Sequence, residues 1–175
     1  AGGRARAAGG SHRIHQPMKI LAIAFSVIVL ASTVQAQAPQ PTDRTKATHF
    51  SAADLKAALA RLATDRPAAS VRVFTLDPYT VAVEQRQPRE QGAAAHADRA
   101  ELFHVISGTG TMLTGGTISD GKVNGVNTQG TTIAGGTRIA FAPGDFIMVP
   151  SGVPHQFVDL PSAVQVMSLY LPNAK

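Results

Sequence analysis

Gly144 to Asp159 reads GDFIMVPSGVPHQFVD, and its punctuation is that of two short strands, each aimed by a tight turn. Pro143-Gly144-Asp145 makes the first turn, Phe146 to Val149 a strand, and Pro150-Ser151-Gly152 a second turn that redirects the chain. In the strand that follows, His155, Phe157 and Asp159 occupy alternate positions and so share one face. That face is expected to be an interior, which makes His155 either a ligand or a satisfied core histidine.

Upstream lies a second stretch dense in polar chemistry, Gly92 to Gly110, GAAAHADRAELFHVISGTG. Strand alternation sends Glu101 and Phe103 one way and Leu102 and His104 the other. His104 is therefore expected on an outer face or in an interface, apart from Glu101. His96, Asp98 and Glu101 remain as the candidates on this stretch.

The two stretches together resemble the paired motifs of the cupin superfamily. The second cupin motif reads glycine, five residues, Pro-x-Gly, two residues, His, three residues, Asn. Gly144, Pro150, Gly152 and His155 fall in that register, with Asp159 where the family usually has Asn. The first motif reads His-x-His, three or four residues, Glu, six residues, Gly. Glu101 and Gly108 keep the last gap, but only His96 precedes Glu101. The resemblance covers about residues 71–171 and implies an all-β fold, a double-stranded β-helix or jelly-roll-like barrel, here preceded by one short helix.

Two alignments of the first motif imply different ligands. With His96 as the second histidine, Ala94 replaces the first, and the metal ligands are His96, Glu101 and His155. With His96 as the first histidine, Asp98 replaces the second, at the cost of too short a gap to Glu101. The first alignment keeps the family's spacing and is preferred. Two imidazoles and one carboxylate suit Fe(II) best and also accept Mn, Ni, Zn or Cu. Asp98 and Asp159 are then expected to orient the ligands from behind or, for Asp98, to serve as the alternative ligand.

The whole chain sets bounds on function. Its 175 residues are consistent with one domain, and its formal charge is +5. Four of its 16 basic residues, Arg4, Arg6, Arg13 and Lys19, precede or open an N-terminal apolar run, which leaves 12 basic residues against 11 acidic ones. No basic patch with interleaved aromatics survives, so nucleic acid is not an expected partner. There is no cysteine, which excludes disulfide staples, thiolate ligands and thiolate nucleophiles.

Residues 18–36 carry the apolar run ILAIAFSVIVLA after Met18-Lys19, followed by small residues at Val34-Gln35-Ala36. The run has the length of a signal-peptide core and is short for a bilayer span. The expected layout is residues 1–17 as upstream sequence, 18–36 as a cleaved signal, 37–50 as a flexible leader and 51–175 as the folded domain. A periplasmic or secreted protein follows, with no membrane attachment after cleavage.

Within the domain, Ser51-Ala-Ala-Asp54 marks a helix start, and Leu55, Leu59 and Leu62 keep helical spacing towards Arg66-Pro67. From Val71 the period changes to two, and VRVFTL and TVAVEQR predict a pair of strands. Between the motifs, Asp120-Gly121 and Asn124-Gly125 predict an elongated hairpin covering one mouth of the barrel. The closing run VQVMSLYL is apolar on both faces, as a strand buried on its outer side in a homodimer would be. Taken with the resemblance, these features imply an exported metal-binding protein acting on a small molecule, of non-haem iron oxygenase type or another metal-dependent class. The alternative is a non-catalytic module that binds or senses a small ligand.

Overall fold

The structure, a computed structural model, describes residues 2, 3 and 42–174. The expected signal sequence and its cleavage site lie outside these residues, as do nearly all of residues 1–17 and the start of the leader. From residue 42 onward the chain belongs to one compact unit. No helix among the described residues is long and apolar enough to cross a membrane.

Residues 42–50 are fastened to the first hairpin of that unit. The Thr42 amide donates to the Thr75 carbonyl at 2.8 Å, and Arg44 donates to the Asp77 carbonyl at 2.6 Å. Helix α1 (Ala52–Leu59) then starts as its sequence predicts, with the Ser51 hydroxyl accepting from the Asp54 amide at 3.0 Å. The return half of the capping box differs. Asp54 is one methylene shorter than Glu, and its carboxylate accepts from the Ser51 hydroxyl at 2.6 Å, whereas a capping-box Glu would reach the backbone amide. The helix also ends sooner than the leucine spacing implies. Arg61 and Leu62 donate to carbonyls three residues back, which tightens the chain into a closing turn. Leu55, Leu59 and Leu62 are half-buried and line a groove beside Gln85 and Gln165.

The remaining elements are strands: β1 (Ala68–Leu76), β2 (Tyr79–Arg86), β3 (Ala93–His96), β4 (Arg99–Ser107), β5 (Gly110–Thr114), β6 (Thr117–Ser119), β7 (Lys122–Asn124), β8 (Asn127–Gly130), β9 (Thr132–Ala134), β10 (Thr137–Phe141), β11 (Phe146–Val149), β12 (His155–Val158) and β13 (Val164–Pro172). They form a five-stranded sheet, β1-β2-β13-β4-β11, a six-stranded sheet, β10-β5-β12-β3-β8-β7, and a small β6-β9 pair. Every pairing is antiparallel. Fold class and helix position match the sequence expectation: an all-β double-stranded β-helix preceded by one short helix.

Both larger sheets send alternate side chains into a shared core of Phe103, Val105, Met112, Phe141, Ile147, Val149, Phe157, Val164 and Val166. Burying a side chain of this size contributes on the order of 1.5–3 kcal/mol. A file of rings runs through this core. Phe141 meets Phe157 at 5.6 Å between centroids, Phe157 meets Phe103 at 5.3 Å, and Phe103 meets His155 at 5.9 Å. The apolar core thus leads straight to the first candidate histidine.

Gly144 and Gly152, which carry the second motif, have φ of 96° and 75°. Those are values that side-chain-bearing residues rarely adopt, so the two turns that aim β11 and β12 depend on glycine.

The chain between the motifs forms nested pairs, β5 with β10, β6 with β9 and β7 with β8, so it is the elongated hairpin its turn residues predict. It does not simply cover a mouth of the barrel. Its tip strand β8 pairs with β3 and joins the six-stranded sheet. Gln156 lies on β12 between the inward-facing His155 and Phe157, and its carboxamide donates to the Thr131 carbonyl at 2.9 Å. The descending arm is thereby fastened to the outer side of that sheet.

Candidate metal centre

His96 ends β3, Glu101 lies near the start of β4, and His155 opens β12. The two histidines therefore come from the six-stranded sheet and the carboxylate from the five-stranded one. Their ligand atoms lie within 4.8 Å of one another. Nε2 of His96 and Nε2 of His155 are each 3.4 Å from the same oxygen, Oε2 of Glu101. Glu101 and His155 are buried, with side chains 3 % and 6 % exposed, and His96 is nearly so at 12 %.

The turn between β3 and β4 is held on several sides. The Gly152 amide donates to the His96 carbonyl at 2.7 Å, the Ala97 amide to the Val126 carbonyl at 2.8 Å, and the Asn173 amide to the Asp98 carbonyl at 2.9 Å. Turn, hairpin and C-terminal strand thus fix where His96 and Glu101 begin. Both imidazoles are packed as well: the His96 and His155 rings lie 5.4 Å apart, and Tyr170 meets His96 edge-on at 5.7 Å.

Burial alone would push the Glu101 carboxyl up, but hydrogen bonds from His155 and His96, reinforced by their charge, hold it at about 2. The hydrogen bond to Glu101 likewise raises His96 above its usual value, against the opposing effect of burial. The cluster keeps a carboxylate in an interior where an isolated one would be neutralised. Tyr170 is driven the other way. Burial, then the charges of Glu101 and Glu84, push its phenol up to about 12, so it stays a neutral hydroxyl.

A divalent ion fits this donor set. Two ligands each bonded at about 2.0–2.2 Å to one ion stand roughly 3–3.5 Å apart, depending on the angle between them, and both Nε2–Oε2 separations here are 3.4 Å. Ala94 pairs with His155 across β3 and β12 and lies two residues before His96 on the same strand face. It brings only a methyl group where the first histidine of the motif would stand.

Asp98 and Asp159 do not belong to this cluster. Asp98 lies in the β3–β4 turn with its side chain 47 % exposed, and it accepts from Arg99 Nη1 at 2.9 Å. Asp159 was expected on the inner face with His155 and Phe157. It instead follows the last residue of β12 with φ of 51°, which breaks the strand alternation. Its carboxylate pairs with Arg138 at the surface and is 62 % exposed. His104 takes the outer side of β4, as alternation requires, and stacks on Phe146 at 4.3 Å.

Three residues around the cluster were not singled out from the sequence. Oδ1 of Asn127 is 2.7 Å from Nδ1 of His96. Arg99 Nη2 donates to the same Asn127 oxygen at 2.9 Å, and its guanidinium lies 4.5 Å over the Tyr170 ring. Arg99 and Tyr170 were legible in principle, because each stands on a recognised strand near a motif residue. Asn127 was not, because only the pairing of β3 with β8 sets His96 opposite it.

No protein-family model and no curated protein matches the chain. Solved structures do resemble it. The BH2720 protein of Bacillus halodurans superposes with a TM-score of 0.51 at 17% identity, over 77% of this chain and 88% of that one. A Klebsiella pneumoniae protein described as having a double-stranded β-helix domain gives 0.47 at 18% identity, over 63% and 81% of the two chains. The cupin domain of Cnp3 from Schizosaccharomyces pombe gives 0.45 at 11% identity, over 62% and 63%. With two antiparallel sheets enclosing one core and the motif glycines at the turns that aim β11 and β12, the chain has the double-stranded β-helix fold.

Proposed function

We propose that this chain is an exported metal-binding cupin acting on a small molecule, with a divalent ion held by His96, Glu101 and His155. The observation that carries this reading is the convergence of both Nε2 atoms on one oxygen of Glu101 inside the barrel. Fe(II) is the favoured ion on ligand type, with Mn, Ni, Zn and Cu as the other candidates. A bound ion would supply Lewis acidity, a lowered pKa for bound water and, if it is iron, oxygen activation, as in a non-haem iron oxygenase.

The chain's own residues would bind and orient. Glu101 supplies the negative charge that offsets an ion in a low-dielectric interior. Ala94 leaves one side of the ligand set without a protein donor, where a small molecule could approach. Tyr170, edge-on to His96, offers a hydroxyl that keeps its proton. Phe103, packed against His155, keeps the core side of the site dry.

Export to the periplasm or outside the cell is supported by the run at residues 18–36. A homodimer is supported by apolar side chains left in the open on the five-stranded sheet, where Ile106, Phe146 and Met148 are exposed. A second reading, a non-catalytic module that binds or senses a small ligand, is favoured by the same Ala94, since one histidine of the motif is missing. Elemental analysis of the natively produced protein tests the metal-binding reading, and a protein without metal favours the second one. Oxygen consumption by the Fe(II)-loaded protein with candidate small molecules then separates them.

A further inference from the structure

We propose that Asn127 is a positioning residue for the metal site: carried in on the β7–β8 hairpin, it fixes the His96 ring with Nδ1 engaged and Nε2 turned towards Glu101, and Arg99 fixes which end of its carboxamide faces that ring. This rests on the metal-binding reading of His96.

The donor inventory leaves one consistent arrangement. Arg99 can only donate, and its Nη2 lies 2.9 Å from the outer atom of the Asn127 carboxamide that faces it, so that atom is the oxygen. The same oxygen is 2.7 Å from Nδ1 of His96. An amide oxygen only accepts, so Nδ1 must carry the proton. The ring's other nitrogen, Nε2, is the one pointing at Glu101, so it is the nitrogen left for an ion to take once its own proton is released.

Arg99 is itself anchored independently of the histidine. Its Nη1 donates to Asp98 at 2.9 Å, and its guanidinium rests over Tyr170. It stands 3.3 Å from His96 Nδ1, but a protonated Nδ1 has no lone pair for it, so Asn127 is the link between them. The hairpin brings Asn127 there by register. Asn127 is directly opposite His96 in the β3–β8 pair, on the same face, and the Ala97 amide extends the pairing by donating to Val126. The β7–β8 turn passes through Gly125 at φ of 60°.

Replacing the partner of a metal-bound imidazole typically weakens metal binding about ten- to a hundredfold. The test uses Zn(II) alone as the probe, with affinity measured by competition titration and the ligating nitrogen of His96 read by nitrogen NMR of the loaded protein. The parent should bind Zn(II) through Nε2 of His96. Asn127→Leu, similar in size but without an acceptor, should lose about ten- to a hundredfold in affinity, and Asn127→Asp, which keeps an acceptor, should bind as tightly as the parent or more so. Asn127→Ala covers the case in which leucine disrupts the hairpin, and it should weaken binding in the same range.

Arg99→Met removes a positive charge near the ion, which by charge alone would tighten binding. A weaker affinity therefore reads the positioning role, while an unchanged or tighter one removes Arg99 from it. If the parent binds Zn(II) and the Leu, Ala and Asp variants all match it, Asn127 has no positioning role and the proposal is overturned. If the parent itself binds no Zn(II), the reading of the metal site beneath it has failed.

Discussion

Tyr170 stands directly opposite Glu101 in the β13–β4 pairing. Two neighbours on one face of a sheet, one a carboxylate held at about 2 and the other a phenol pushed up to about 12, present an acceptor and a donor side by side. Tyr170→Phe keeps the ring that packs on His96 and under Arg99 and removes only the hydroxyl. Metal affinity is expected to stay within about threefold of the parent, because no ligand or ligand partner changes. Binding or turnover of the small molecule is expected to fall by about 1–2 kcal/mol, the worth of one lost hydrogen bond. Parallel metal titration and ligand-binding measurements on this variant check both halves.

The pH dependence has opposite signs with and without metal. In the metal-free protein the raised His96 favours folding below its ordinary 6.5, a contribution lost as pH climbs through the higher folded value. The depressed Glu101 contributes above its ordinary 4.5 and loses that contribution as pH falls through about 2. Between those ordinary values the cluster supports the metal-free fold best. Metal must displace the His96 proton, so apparent affinity should rise up to about tenfold per pH unit until His96 is neutral, and then level off. Thermal melts and Zn(II) titrations from pH 5 to 9 check the crossing trends.

Ala94→His should add a donor on the side of the site that lacks one. Ala94 is paired with His155 and shares a strand face with His96, so an imidazole there starts from the correct face. Metal affinity is expected to rise by at least about tenfold, while small-molecule binding at the open side falls. Competition titration against a chelator of known strength reads the first effect.

Asp159→Ala should be nearly silent. Its ion pair with Arg138 is solvent-exposed on both partners, 55 % and 62 %, and such pairs contribute about 0–1 kcal/mol. Phe103→Ala, in contrast, removes a fully buried ring that touches both His155 and Phe157. It should cost about 3–5 kcal/mol in chemical denaturation.

Much of the fold was legible because glycine and proline act locally. Gly144 and Gly152 have the positive φ their turns require, and alternation placed Glu101 with Phe103 inside and His104 outside. The same rule failed at Asp159, because the strand ends at Val158 and Asp159 itself takes the left-handed conformation that breaks the alternation. The hairpin between the motifs was legible as a hairpin from its Asn-Gly and Asp-Gly pairs. Its docking onto β3 was not, since nothing near Asn127 in the sequence records that its partner is His96, 31 residues earlier. The helix was legible at its start, where the cap is a short-range bond, but not at its end, where Leu62 keeps helical spacing although the chain has already tightened.

Metal content and affinity of four alanine variants, at His96, Glu101, His155 and Asp98, test the central claim most directly, each variant being checked for folding. The parent should hold one divalent ion per chain. Alanine at His96, Glu101 or His155 should remove it or weaken it by far more than a hundredfold, because each supplies one of three donors and no cysteine is present to substitute. Asp98→Ala should weaken binding by no more than about tenfold, since it acts only through Arg99. A parent that binds no metal, or variants at the three cluster residues that all retain it like the parent, would contradict the account.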